Sequence, residues 1–115
     1  MSVKIYHNPR CQKSRQALQL LKDQGLQPVI IDYLQTPPSA EELDALLKTL
    51  GIEPRQLMRT KEAEYKEQGL NDETLDRQTL INTMVKYPIL IERPIVVANG
   101  KAIIGRPPEA VLSIL

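Results

Sequence analysis

Two β-rich runs with a helical stretch between them, all within roughly thirty residues, constrain this chain more than any other feature in it. "VKIY" (residues 3–6) ends at Asn8-Pro9, a turn signal. From Gln12 the pattern changes. Ala17, Leu18, Leu20 and Leu21 recur at helical spacing up to Gly25, which suits the position just past a helix end. "PVIIDYL" (residues 28–34) then reads as a buried strand. Strand, helix and strand in so short a span form a βαβ unit. Its strands run parallel and its crossover is right-handed, because a right-twisted strand packs its helix back onto the sheet only that way. These strands are β1 (residues 3–6) and β2 (residues 28–34).

The middle of the chain changes character. "TPPSAEELDALLKTLG" carries Ser39 as N-cap, Glu42 completing a capping box, leucines at helical spacing and Gly51 after the end. Residues 54–87 read as helix in pieces, broken at Gln68-Gly69 and at "NDE", with a stronger segment in "DRQTLINTMVKY" before Pro88. Residues 36–88 are therefore expected to be a helical insertion. The chain then returns to strand: "PIVVANGKAII" has arms β3 (residues 94–98) and β4 (residues 101–104) around Asn99-Gly100, a dipeptide suited to a type I′ turn. A two-residue turn sets the register. Ala98 faces Lys101, Val97 faces Ala102, Val96 faces Ile103 and Ile95 faces Ile104; continuing, Pro94 faces Gly105 and Arg93 faces Arg106. A closing helix, "PPEAVLSIL", opens on prolines that a first turn tolerates.

Length and charge narrow the function. The 115 residues suit one domain, residues 1–115. Lys and Arg number 15 against 14 Asp and Glu, a balance that argues against a nucleic-acid or membrane-surface partner. No apolar run approaches the roughly 18 residues that span a bilayer, and "MSVKIYHNP" lacks the apolar region of a signal peptide. A cytoplasmic monomer is the expectation. One cysteine and one histidine cannot supply the three or four donors of a metal site, so no metal is expected, and the thiol has no internal disulfide partner.

That cysteine, Cys11, follows a strand and a proline-containing loop at the start of a helix, where unpaired N–H groups and the helix dipole favour a thiolate. His7, Arg10, Lys13 and Arg15 surround it in sequence. A Cys-x₅-Arg phosphate loop would need arginine where Ala17 stands, and a Cys-x-x-Cys motif would need cysteine where Ser14 stands. Any disulfide formed in its work must therefore involve another molecule. At the open end of the hairpin, directly opposed arginines cost up to about 1 kcal/mol unless an anion lies between them. An oxyanion matches guanidinium geometry. A buried inert thiol, and arginines splayed into water, are the alternatives that these residues leave open.

The segments "YHNPRCQKSR", "YLQTPPS", "LMRTKE" and "RPIVVANGKAIIGRPPE" resemble, in order and spacing, the glutaredoxin-coupled arsenate reductase family. The resemblance implies an α/β, thioredoxin-like fold: a four-stranded mixed sheet of order β2-β1-β3-β4, its last two strands antiparallel, with the helical insertion between β2 and β3. It implies Cys11 as the nucleophile, His7 as the histidine near it, and Arg59, Arg93 and Arg106 as the arginines that bind the oxyanion. Ser14 and Pro94 would support the site, Pro94 through a cis bond to Arg93. The activity implied is arsenate reduction with glutathione as co-substrate and glutaredoxin as partner, releasing arsenite, with no bound cofactor. The family's well-characterised arsenate reductases have Gly-Thr after the nucleophile, where this chain has Gln12-Lys13. Two other readings are a glutathione-dependent thiol-disulfide oxidoreductase of the same fold and a non-enzymatic regulator that binds RNA polymerase. Such regulators usually carry a paired Cys-x-x-Cys, which Ser14 denies here.

Overall fold

The computed structural model describes residues 2–115, which form two compact units: the chain through Thr36 with Arg93–Leu115, and Pro37–Glu92. In the first unit, β1 (Val3–His7), β2 (Val29–Asp32), β3 (Ile95–Ala98) and β4 (Lys101–Ile104) make one sheet of order β2-β1-β3-β4. β1 pairs parallel with β2 and antiparallel with β3, and β3 pairs antiparallel with β4. This is the thioredoxin-like arrangement expected above. Helix α1 (Gln12–Asp23) lays Ser14, Ala17 and Leu21 on one buried face, as spacings of three and four residues require. It stops at Gly25, whose φ of 78° is readily adopted only by glycine. Ala17 and Leu21 share a core with Val3, Ile5, Val96 and Val111.

The hairpin has the expected register, from Ala98 opposite Lys101 to Ile95 opposite Ile104. Asn99 and Gly100 have φ of 55° and 71°, as a type I′ turn demands. Beyond the ladder the Gly105 amide donates to the Pro94 carbonyl at 2.8 Å. Gly105 is buried, and a Cβ there would lie 2.8 Å from Pro94 Cγ and 3.1 Å from Val111 Cγ1. The Arg93-Pro94 and Arg106-Pro107 peptide bonds are both cis.

Two elements differ from the sequence reading. β2 is a short edge strand, with Val29 57% and Ile30 48% exposed, not a buried one. An apolar run cannot by itself distinguish a strand covered on both faces from one at a sheet edge. The closing helix, Pro108–Ile114, is a 3-10 helix. Pro107 and Pro108 have no N–H to donate, the Ala110 amide donates to the Pro107 carbonyl, and the Ser113 hydroxyl donates to the Ala110 carbonyl.

The second unit holds α2 (Ala40–Leu50), α3 (Pro54–Leu57), α4 (Ala63–Glu67), α5 (Arg77–Lys86) and a 3-10 turn at Pro88–Leu90. Ser39 caps α2 by accepting from the Glu42 amide at 3.1 Å, and Asp76 caps α5 by accepting from the Thr79 amide at 2.8 Å. Leu43, Leu47, Leu57, Ile81 and Met84 are fully buried. Met58 and Ile91 form an isolated antiparallel bridge, flanked by donation from the Glu92 amide to the Leu57 carbonyl and from the Arg59 amide to the Leu90 carbonyl. No helix of the described residues is long and apolar enough to cross a membrane.

Candidate active site

The loop after β1 is built by its own hydrogen bonds. Asn8 accepts from the Arg10 amide through Oδ1 and from the Cys11 amide through its carbonyl, each at 3.0 Å. Cys11 is the N-cap of α1, extended in backbone, and its carbonyl accepts the first helical hydrogen bond from Arg15 at 3.0 Å. The Cys11 side chain makes no cap hydrogen bond, but the first N–H groups of a helix, which have no intrahelical partner, put partial positive charge on its side of the loop. Burial pushes the Cys11 thiol up. The backbone N–H of Ser14, the hydrogen bond and charge of Arg93, and the backbone N–H of Lys13 outweigh it and hold the thiol below its ordinary value.

The arginines come from the two ends of the hairpin. Arg93 precedes β3 and its guanidinium favours the Cys11 thiolate; Arg106 follows β4, with Nη1 4.0 Å from Cys11 Sγ. The same Nη1 donates to the Arg93 carbonyl at 3.1 Å, so one residue steadies the other. Arg59 lies in the second unit. Its Nη1 donates to Glu92 Oε1 at 2.7 Å and its Nε to Glu62 Oε1 at 3.1 Å. Burial alone would disfavour the Arg59 cation, but Glu62 and Glu92 more than compensate and hold its proton more firmly than usual.

Ser14, fully buried, receives the Asn8 amide at 3.0 Å and lies 2.6 Å from His7 Nδ1. Burial lowers the His7 pKa below 6.5; Asp32 opposes this, while Arg15 and Lys22 add to it. A neutral imidazole with its proton on Nε2 satisfies the network, since Ser14 can then donate to Nδ1 while accepting from Asn8. Ser14 therefore occupies the position of a second cysteine as a bridge between β1 and α1.

Asp32 was not singled out in the sequence. It faces His7 in the parallel register, and its buried Oδ1 has no hydrogen-bond partner among the described residues. The only sequence signal was an acidic residue at the end of an apolar run. Among the described residues, no group of three or more His, Cys, Asp or Glu side chains is placed to hold a metal.

A mixed sheet of order β2-β1-β3-β4, with a thiol at the first helix start and a cis proline opening β3, defines a thioredoxin-like protein with a single cysteine. The chain belongs to the ArsC family, whose model matches residues 6–114. It is 59% identical over 114 residues to an uncharacterized Escherichia coli K12 protein, YfgD, covering 98% of this chain and 96% of the relative. It is 51% identical to an arsenate reductase of Haemophilus influenzae, with both chains covered in full. The solved structure of an arsenate reductase from Vibrio cholerae superposes with a TM-score of 0.98 at 56% identity, covering 100% of this chain and 98% of that one.

Proposed function

We propose that this chain is an arsenate reductase in which Cys11 is the nucleophile and Arg93 and Arg106 hold the oxyanion. The observation that carries the reading is the placement of the thiol: Cys11 is the N-cap of α1 with Arg106 Nη1 4.0 Å from its sulfur, and the Arg93 guanidinium helps hold it below its ordinary pKa. At the ordinary cysteine value only about 3% of a thiol is ionised at pH 7, so a lowered value directly raises the attacking species. The Cys11 thiolate attacks arsenic, the S–As bond forms, and one arsenate oxygen takes up protons and leaves as water. The arginines stabilise the charge that accumulates on the remaining oxygens.

Ser14 offers no second thiol, so the reductant comes from outside. A glutathione thiolate attacks the Cys11 sulfur. The S–As bond breaks with its electron pair on arsenic, which leaves as arsenite, and Cys11 is left in a mixed disulfide with glutathione. A glutaredoxin thiol then attacks the glutathione sulfur and frees Cys11, so two thiols are oxidised for each two-electron reduction of arsenic. Such chemistry belongs in the cytoplasm, where glutathione is kept reduced. On the family resemblance we assign Arg59 as a third arginine for the oxyanion and His7 as the histidine beside the nucleophile; Ser14, which accepts from the Asn8 amide and lies 2.6 Å from His7 Nδ1, supports the loop that carries Cys11.

The test is arsenate-dependent NADPH oxidation coupled through glutathione, glutaredoxin and glutathione reductase. Cys11→Ser abolishes turnover. Arg93→Ala and Arg106→Ala each lower kcat/KM by on the order of 10²-fold, and Arg59→Ala lowers it as well. Equal activity in wild type and Cys11→Ser overturns the proposal. Turnover of a glutathionylated substrate that ignores Arg106→Ala supports the thiol-disulfide oxidoreductase instead.

A further inference from the structure

The loop that leads into Cys11 borders a cleft of about 230 Å³ lined by Asn8, Pro9, Arg10, Asp32, Leu34 and Gln35. One wall is the loop that leads into Cys11, and the other is the turn after β2. In that turn the Gln35 and Thr36 amides both donate to the Asp32 carbonyl, at 3.0 and 2.8 Å. The cleft holds opposite charges that do not neutralise one another. Among the described residues Arg10, which is exposed, forms no ion pair with the half-buried Asp32, whose Oδ1 is buried without a hydrogen-bond partner. A carboxylate in the lining disfavours a simple oxyanion such as arsenate, so this is not a second copy of the arginine site. A cation and an anion held apart in one cleft match a zwitterion, with carboxylate to Arg10 and ammonium to Asp32.

We propose that this cleft binds the γ-glutamyl head of glutathione, whose α-ammonium and α-carboxylate sit on one carbon, while its thiol reaches Cys11. The assignment rests on glutathione being the reductant. A tripeptide extends roughly 10 Å, and a cleft of 230 Å³ takes one end of it, not the whole. Arg10 adjoins Cys11 in the chain, so a head group seated there leaves the thiol beside the sulfur that it must attack.

The experiment titrates the full-length chain with S-methylglutathione, which binds but cannot reduce, and follows backbone amides by NMR. Saturable shifts at Asn8, Arg10, Asp32 and Gln35 are expected. Asp32→Asn and Arg10→Ala each weaken binding by about tenfold, while the analogue lacking the α-ammonium binds wild type and Asp32→Asn alike. Methylated γ-glutamylcysteine, without the glycine, keeps its sensitivity to both substitutions. Should Asp32→Asn fail to fold, the exposed Arg10 and the two analogues still decide. Shifts confined to Arg93 and Arg106, or equal wild-type affinity with and without the ammonium, overturn the proposal. Because no arsenate is present, a failed reductase assay and a failed titration are separate results.

Discussion

Ser14 shows how one residue does two jobs at once. Its identity removes the second thiol of a redox pair, and its hydroxyl joins the end of β1 to the first turn of α1 through Asn8 and His7. Ser14→Ala leaves a buried amide and a buried imidazole nitrogen unpaired, at a cost of about 1–3 kcal/mol, measured as a lower urea midpoint. The thiol gives a second prediction. The rate of iodoacetamide alkylation of Cys11 inflects below the ordinary cysteine value of about 8.5, and Arg93→Ala moves the inflection up. Between the lowered folded value and the unfolded one, the unfolded chain binds more protons. This contribution is therefore complete above the unfolded value and is lost as pH falls through the folded one. Comparing the pH dependence of wild-type and Cys11→Ser unfolding isolates it. The helix-start placement of Cys11 and the meeting of Arg93 with Arg106 were legible because a helix start and a two-residue hairpin register are local facts. Asp32 was not, because its place beside His7 depends on how two distant strands slide past each other.

At the scale of elements, apolar content and burial part company. Ile5 is fully buried at the centre of the sheet, and Ile30, its partner in the register, is 48% exposed on the edge. Ile5→Ala should cost about 2–5 kcal/mol and Ile30→Thr less than about 0.5 kcal/mol, a contrast that urea denaturation reads directly. The hairpin end is the opposite case, a place where a single carbon has no room. Gly105→Ala drives a Cβ against the Pro94 ring at 2.8 Å and Val111 at 3.1 Å. It should cost about 1–3 kcal/mol, and it should reduce arsenate turnover because Arg106 is the next residue. Element types were largely readable: Ser39 and Gly51 bound α2, and Asn99-Gly100 sets the hairpin. The closing 3-10 helix was less so, since two prolines deny a helix start its donors without announcing which ladder follows.

For the molecule as a whole, a ligand that binds only the folded state adds stability by mass action. Arsenate at a hundred times its Kd adds about 2.7 kcal/mol, a rise of several degrees in Tm for a domain of this size. Arg106→Ala should abolish that rise at the same concentration, whatever its effect on turnover. By itself the sequence determined what short-range forces decide: the caps and ends of α1 and α2, the βαβ succession, the hairpin register, and a thiol at a helix start. Tertiary structure alone decided which distant groups meet. Arg106 and Cys11 are 95 residues apart in sequence and 4.0 Å apart in space. Caps, turns and periodicity act over a few residues, whereas contacts between distant residues depend on strand order and burial, which no local segment contains.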